Sequence, residues 1–319
     1  MRVLTGIQAS GKLHIGNYFG AMKPMVKLQE ENELFTFIAN YHSLTTSKDA
    51  KTLKQYTIDA AVDYLSIGID PTKTTFWVQS HVPEVLELYW ILSKFTPMGL
   101  LERGHSYKDK VANGISANHA LFSYPVLMAA DILMLDTQIV PVGKDQIQHV
   151  EMTRDIATKF NNEYGDIFVL PEHRVEADLA TIPGIDGKKM SKSYDNAIDL
   201  FMDEKPLQKR CNKIISSSTP LGEALAWEDD NIYALASLFL DETQKQELQV
   251  RYQSGLEGYG LFKKYLKELI WEELGEAREK RAYYLSHIDE VNDILAHGAT
   301  KASKVAQAKM SKVREAIGL

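Results

Sequence analysis

The chain is expected to fold as an α/β protein, with a doubly wound parallel sheet of the nucleotide-binding kind and an all-α second domain. Three observations predict this. Strand-like and helix-like runs alternate over about the first 170 residues, the pattern of a parallel sheet with crossover helices. Strand signals stop after about residue 200, leaving only helical patterns. With 319 residues, 45% of them hydrophobic, the chain is long enough for two cores rather than one.

The elements follow in order. RVLTGI at the start reads as a buried strand. A helical stretch begins at about His14, with Pro24 inside it as a kink. ELFTFIA (33–39) is the second strand. KDAKTLKQYTIDAAVDYLSIGI has apolar positions at helical spacing, with Asp49 near its start and Gly68 near its end. TTFWVQS (74–80) is a third strand and PEVLELYWILSKF (83–95) a helix. KDKVANGISANH (108–119), with Gly114 and two asparagines, is the most loop-like interior stretch. LFSYPVLMAADILML (121–135) is a largely apolar helix and so lies inside; QIVPVG (138–143) is a fourth strand, and DQIQHVEMTRDIATKF opens another helix. Beyond 200, the runs beginning KPLQKRC, NIYALAS, YGLFKKY and EKRAYYL all read as helices, the last continuing to the end of the chain.

Composition removes several function classes. A net charge of −7 excludes a general polyanion binder, so contact with nucleic acid must come from local basic patches. The single cysteine, Cys211, cannot form a disulfide within the chain, and no Cys/His group has zinc or iron–sulfur spacing. The nine histidines are scattered and H-E-x-x-H is absent. No apolar window reaches 18 residues and no apolar signal region opens the chain, so no membrane role is expected and a reducing cytoplasm fits.

Two features carry chemistry. The first is KMSK, which occurs twice. The copy in GKKMSKSYDN lies between the turn-formers PGIDG and SYDN, so Lys189 to Ser193 are expected to form an exposed, mobile loop. Such a loop could clamp phosphates with two point charges, or be a solvated hinge. The copy in AQAKMSKVREA has no breaker near it. Val305, Met310 and Val313 can share one face of a terminal helix while Lys301, Lys304, Lys312 and Arg314 reach solvent, which makes this copy a coincidence of composition. The second feature is TGIQASGKLHIGNYFG, directly after the first strand. Gly6, Gly11 and Gly16 allow tight turns and close approach. Gly11 and Gly16 have P-loop spacing, but Asn17-Tyr18 stands where Lys-Ser/Thr is required, and there is no G-x-G-x-x-G. A nucleoside triphosphate could still bind at the helix start, with His14 and Asn17 aimed at the same place; an ordinary strand-to-helix turn is the alternative.

KLHIGN after the first strand and KMSKS after the second half of the sheet together resemble the two signatures of class I aminoacyl-tRNA synthetases. SYPVLMAADIL, VGKDQIQHVEMTRDIA and the ending KVREAIGL make the chain look like the tryptophanyl branch of that family in its compact bacterial form, over essentially its whole length. The resemblance implies a Rossmann-like catalytic domain over 1–200, rejoined by the C-terminal helix at about 290–319, and a helical anticodon-binding domain over 201–289. It implies ATP and Mg²⁺, the metal held through the ATP phosphates and not by protein ligands. It also implies L-tryptophan and tRNA(Trp) as substrates and a homodimer.

Site residues carry over by position. Gln8, Ala9 and Ser10 would line the ATP site, Gly16 would let adenine or ribose approach, and His14 and Asn17 would face the phosphates. Asn17 replaces the family's second signature histidine, and its amide can still donate. Gly143, Lys144 and Asp145 would meet the ribose, and Ile182 the adenine. Lys189, Met190, Ser191, Lys192 and Ser193 would close over the triphosphate, the two lysines neutralising charge. Lys108 and Lys110 are lesser candidates for pyrophosphate. For tryptophan, Asp131 is the informative residue, because a carboxylate inside an apolar helix needs a partner. It is either a paired core aspartate or the acceptor for indole N–H, a donor-only group. Met128, Val140 and Val142 would wall the ring, Tyr124 and Gln146 would hold the α-amino group, and His42 would line the pocket. Leu4 stands where relatives often have an aromatic residue. Rival readings are a tyrosyl-tRNA synthetase, a nucleotidyltransferase, and an inactive synthetase paralogue that binds RNA. Lys205, Lys209, Arg210 and Lys213 form a basic cluster at which the helical domain could meet phosphate.

Overall fold

The computed structural model describes residues 1–9, 11–45, 49–104, 117–175 and 182–319. Five parallel strands, β1 (Arg2–Ile7), β2 (Glu33–Ile38), β3 (Thr74–Val78), β4 (Ile139–Val142) and β5 (Glu172–Val175), form one sheet in the order β3-β2-β1-β4-β5. Alternation along the strands sends side chains to two cores. Val3, Leu34, Ile38, Phe76 and Ile139 enter one; Leu4, Phe35, Phe37, Trp77 and Val140 enter the other. Both faces are covered, which is why the inner strands read as continuous apolar runs. β5 was not legible in the same way. Its four residues EHRV are half-buried or exposed, and they join the sheet only through backbone pairing with β4.

Other differences have local causes. The helical stretch after His14 is a turn at Ile15–Asn17, a π-helical segment at Tyr18–Met22, and an α-helix at Lys23–Glu31. Pro24 sits in the first turn of that last helix, where its missing N–H costs nothing; the irregular winding precedes it. Gly6 lies within β1, not in a turn, and a Cβ there would come 2.9 Å from the Phe37 ring. The terminal stretch expected as one helix is two, Gly275–Ser286 and Ile288–Ile317, broken at His287. Helix Glu242–Ser254 is set by its ends, a capping box at Asp241 and a left-handed Gly255, since only Leu248 and Tyr252 in it are buried.

Helix Ile288–Ile317 lies across edge strand β3. Its stripe Ala299, Ala302, Ala306, Met310 and Val313 enters the second core. Gly298 lets the backbones touch, for a Cβ there would lie 1.8 Å from the Phe76 carbonyl oxygen. The second KMSK copy lies in this helix. Lys301, Lys304 and Lys312 are exposed, as expected. Arg314 also reaches solvent and there pairs with Glu87, its Nε donating at 2.7 Å. Lys309, the first lysine of that copy, is 5% exposed; its Nζ lies 2.5 Å from Asp136 Oδ1 and donates to the Ile167 carbonyl at 2.6 Å.

Candidate active site

A cavity of about 1310 Å³ opens beyond the carboxyl ends of β1 and β4. Strand order reverses between these two strands, which is where ligands bind on doubly wound sheets. One end of the cavity is suited to an amino acid and the other to a nucleotide.

At the amino-acid end, Met128, Val140, Val142, Leu4 and Phe37 supply apolar wall and Asp131 the acid. Asp131 is 2% exposed. Its carboxylate is held from two sides. Gln79 Nε2 donates to both oxygens at 2.9 Å, and His42 Nε2 lies 2.9 Å from Oδ2. The amide of Gln79 cannot be turned round without loss, because its Oε1 accepts the Tyr41 N–H at 3.0 Å. The amide nitrogen therefore faces Asp131, which makes the carboxylate the acceptor. Burial pushes the Asp131 carboxyl up, opposed by His42 and then Gln79. Beside it, Tyr124 Oη stands 2.7 Å from His149 Nε2, and His149 Nδ1 stands 2.8 Å from Gln146 Oε1. His149 itself is 1% exposed.

At the nucleotide end the two signature segments meet. His14 and Asn17 cap each other: His14 Nδ1 accepts the Asn17 N–H at 3.2 Å, and Asn17 Oδ1 accepts the His14 N–H at 3.1 Å. His14 thus carries its proton on Nε2, and Asn17 keeps an amide nitrogen to donate. Ile15 N–H donates to the Ile198 carbonyl and Leu200 N–H to that of Leu13, which ties the stretch after KMSKS to the first turn. Met190 is buried beside Gly16, whose N–H approaches its sulfur at 3.4 Å. A side chain on Gly16 would meet His14 Nδ1 at 2.9 Å.

In the first KMSK copy Lys189 and Lys192 are exposed, as expected, while Met190 is buried and the backbone is tied down. Asn196, 1% exposed, accepts the Ser191 N–H at 2.7 Å and donates to Asp186 Oδ1 at 2.8 Å and to the Lys189 carbonyl at 3.0 Å. Gly184 makes room for it, since a Cβ there would lie 2.4 Å from Asn196 Cγ. Met190 N–H donates to the Ile182 carbonyl. The asparagine of SYDN, legible only as a turn-former, is the peg on which this loop hangs.

Of the residues expected at the site, Gln8, His14, Gly16, Asn17, Gly143, Lys144, Ile182, Lys189, Met190 and Ser191 line the cavity. So do Asp131, Tyr124, Met128, Gln146, Val140, Val142 and His42. Ala9 is buried in the first core and is not among the lining residues. Lys192 is exposed and also outside the lining; packing lowers the pKa of its ammonium, opposed by Asp199 and Asp63. Asp145 and Ser193 fall in the short helical turns Lys144–Gln146 and Lys192–Tyr194. Ser10, Lys108 and Lys110 lie outside the described residues. Gln79, His149 and Asn196 were not anticipated. Each acts through another side chain or a loop, so no motif announces it.

Burial holds the His14 imidazole down at about 4, helped by Lys192 and opposed by Asp199. Folding therefore favours the neutral ring. The resulting stabilisation is complete above about pH 6.5, the ordinary value, and is lost as pH falls towards 4. His14→Gln is expected to flatten that part of the stability profile in denaturant titrations at pH 7, 6, 5 and 4. An unchanged slope would contradict a buried neutral imidazole.

Comparison with known proteins agrees with this geometry. The family model described as class I tRNA synthetases (W and Y) matches residues 1–274. The tryptophan–tRNA ligase of Campylobacter jejuni is 61% identical over 319 residues, covering 100% of both chains. That of Fusobacterium nucleatum is 52% identical over 319 residues, covering 100% of this chain and 98% of its own. The crystal structure of the Campylobacter jejuni tryptophanyl-tRNA synthetase complexed with ADP and tryptophan superposes with a TM-score of 0.96 at 61% identity, over 100% of each chain.

Proposed function

Since the chain belongs to the class I tRNA synthetase family of the W and Y type, we propose that it attaches L-tryptophan to tRNA(Trp) through a tryptophanyl-adenylate. The observation that carries this reading is the Asp131 carboxylate, held as an acceptor by Gln79 in an apolar cavity that continues into a nucleotide-sized space. Indole offers one donor and no acceptor. A phenol would bring both, and with Gln79 already donating to the two Asp131 oxygens it finds less to satisfy it.

In the first step a tryptophan carboxylate oxygen attacks the α-phosphorus of ATP. A C–O–P link forms, the Pα–O–Pβ bond breaks, and pyrophosphate leaves. No side chain need be a nucleophile; positioning and charge stabilisation suffice. His14 Nε2–H and the Asn17 amide donate to phosphate oxygens, and Lys189 and Lys192 balance the charge. Gly143 and Lys144 border the ribose, and Ile182 the adenine. Mg²⁺ enters on the ATP phosphates as part of the nucleotide substrate; among the described residues no three His, Cys, Asp or Glu side chains gather as ligands. In the second step the terminal ribose hydroxyl of tRNA attacks the adenylate carbonyl, the C–O bond to phosphate breaks, and AMP departs.

The helical part from about 201 to 289 is assigned to anticodon contact, with residues 1–200 and the terminal helix as the catalytic domain. Lys205, Lys209 and Lys213 are exposed and suited to phosphate. Arg210 is not available in that way, because it donates to the backbone carbonyls of Ala197 and Asp195 at 2.8 and 2.7 Å. Leu86 and Trp90, four apart on helix Glu84–Ser93 and 42% and 77% exposed, suit a homodimer interface. No helix among the described residues is long and apolar enough to cross a membrane, and we place the enzyme in the cytoplasm, where its tRNA substrate is found.

The test is ATP–pyrophosphate exchange with each of the twenty amino acids. Tryptophan should support exchange, with tyrosine at least ~10⁴-fold less efficient, as expected where a dedicated polar partner lacks its match. Exchange driven by tyrosine would make the chain a tyrosine enzyme. Exchange with none of them would leave an RNA-binding paralogue.

A further inference from the structure

Resting on the reading of the cavity as a synthetase's nucleotide site, we propose that Glu273 is a positioning residue for ATP: it clasps the wide turn Tyr18–Met22 from outside and thereby fixes the groups of the first signature that meet the nucleotide. The turn is π-helical, closed by the Lys23 N–H donating to the Tyr18 carbonyl five residues back. Single π-turns are rare and gather at functional sites. Glu273 ends the helix Tyr259–Glu273. Tyr18 Oη and Lys23 Nζ both donate to its Oε1, at 2.7 and 2.8 Å. The Lys23 ammonium also stands over the Tyr18 and Phe19 rings, 5.7 and 5.2 Å from their centroids, and Phe19 packs edge to face on Phe239 at 4.9 Å. One acid from a distant part of the chain thus bridges the two ends of the turn.

The clasp is specific to the winding. In an α-helix residues five apart stand about 140° apart round the axis and face different sides. Closing the turn from i to i+5 brings Tyr18 and Lys23 to one side, where a single oxygen serves both. The opposite side of the segment is cavity: Asn17, Gly20, Ala21 and Pro24 line it, while Tyr18, Phe19 and Met22 are buried. The turn also follows directly on His14 and Asn17, which cap each other and carry the proposed phosphate donors. Rewinding it as α-helix would rotate one flank against the other by about 100°, one residue's worth. The helix Lys23–Glu31 is anchored by buried Met25 and Gln29, and Ile15 by the Ile198 carbonyl, so the two flanks cannot both stay in place. The amino-acid end is built from other elements, with Asp131 on the helix His119–Leu133 and Gln79 beyond β3. The Tyr18 arm matters most. Its phenol is buried and loses its acceptor without the acid, whereas Lys23 is half-exposed and its ion pair adds little.

The test compares full-length wild type, Glu273→Ala, Glu273→Gln and Tyr18→Phe. In pyrophosphate exchange Glu273→Ala should raise the KM for ATP ~10-fold, the loss of a hydrogen bond to a charged group, while the calorimetric Kd for tryptophan stays within ~2-fold. Glu273→Gln keeps an oxygen for both donors and should bring the KM for ATP back to within ~2-fold of wild type. Tyr18→Phe breaks the buried arm alone and should raise it ~3- to 5-fold. Hydrogen exchange of the ligand-free enzyme, followed by mass spectrometry over residues 14–24, should quicken ~10-fold in Glu273→Ala and match wild type in Glu273→Gln. If Glu273 only glues two parts of the chain together, exchange will quicken over residues 259–286 as well and both substrates will weaken alike, which overturns the proposal. An ATP KM within ~2-fold of wild type in Tyr18→Phe overturns it too, and this variant carries the test if Glu273→Ala folds poorly. A wild type without tryptophan-dependent exchange would overturn the synthetase reading instead; hydrogen exchange over residues 14–24 would still decide whether Glu273 holds the turn.

Discussion

Asp131→Asn should raise the KM for tryptophan ~10²- to 10³-fold in pyrophosphate exchange while leaving the KM for ATP within ~3-fold. The asymmetry follows from the hydrogen-bond arrangement. In the native site two donors, Gln79 Nε2 and His42 Nε2, converge on one carboxylate, and the indole N–H would be a third. Asparagine offers one oxygen and one N–H₂ group in place of two oxygens. Its oxygen can satisfy Gln79, whose orientation is fixed by Tyr41, and its nitrogen is then set against His42 or the ligand. The variant loses a charge-assisted bond, worth roughly 1.5–3 kcal/mol, and leaves a buried donor unmatched, roughly 1–3 kcal/mol; the stated range corresponds to the lower half of their sum. His14, Asn17 and Lys189, the groups proposed to face phosphate, are not among the hydrogen-bond partners of Asp131, which are His42 and Gln79, so the nucleotide should notice little. An equal rise in both KM values would show that Asp131 supports the cavity as a whole and does not recognise the ring. Gln79→Ala should act in the same direction with a smaller effect, since it frees the carboxylate without changing its chemistry.

The sheet was legible wherever burial on both faces makes a strand continuously apolar, as in LFTFI and TFWV, and wherever a helix shows one apolar stripe. Legibility failed where backbone pairing or capping did the work. β5 is held by hydrogen bonds to β4 and offers no apolar pattern. The helix from Glu242 is defined by a capping box and a glycine and buries little. In the site, Asp131, His14, Gly16 and Lys189 could be singled out in the sequence, by residue type and by the resemblance, and they line one cavity. The residues that hold those groups in place could not. Gln79 sits past the end of β3 and Asn196 after a turn, and in each case only distances in three dimensions connect it to its function. Arg210 shows the converse. Its sequence neighbourhood suggested a phosphate contact, yet its guanidinium is spent on the carbonyls of Asp195 and Ala197, anchoring the stretch after the signature loop to the helix Glu204–Asn212.

Lys192→Ala and Lys309→Ala should separate the two KMSK copies by opposite outcomes. Lys192 is exposed and lies near His14; packing around its ammonium lowers its pKa, and Asp199 and Asp63 oppose that shift. Removing it deletes a positive charge from the region where negative charge builds on the departing pyrophosphate. Exchange kcat should fall ~10²- to 10³-fold, the usual loss for one electrostatic contact made in the transition state. The melting temperature should hold within ~1 °C, as expected for an exposed side chain, and tryptophan binding within ~3-fold. Lys309 is in the reverse situation. Its ammonium is buried against Asp136 and the Ile167 carbonyl, far along the terminal helix from the cavity lining. Alanine there strands an acid and a carbonyl and leaves a void beside Phe168. The cost should be ~2–3 kcal/mol, at or below the low end for breaking a buried pair because Asp136 keeps some solvent. That corresponds to a melting temperature lower by ~3–5 °C, with kcat nearly unchanged below the transition. Thermal melts and exchange kinetics on the two variants decide the matter. If Lys309→Ala instead lost kcat at unchanged stability, the second copy would belong to the chemistry and its position in a packed helix would need another explanation.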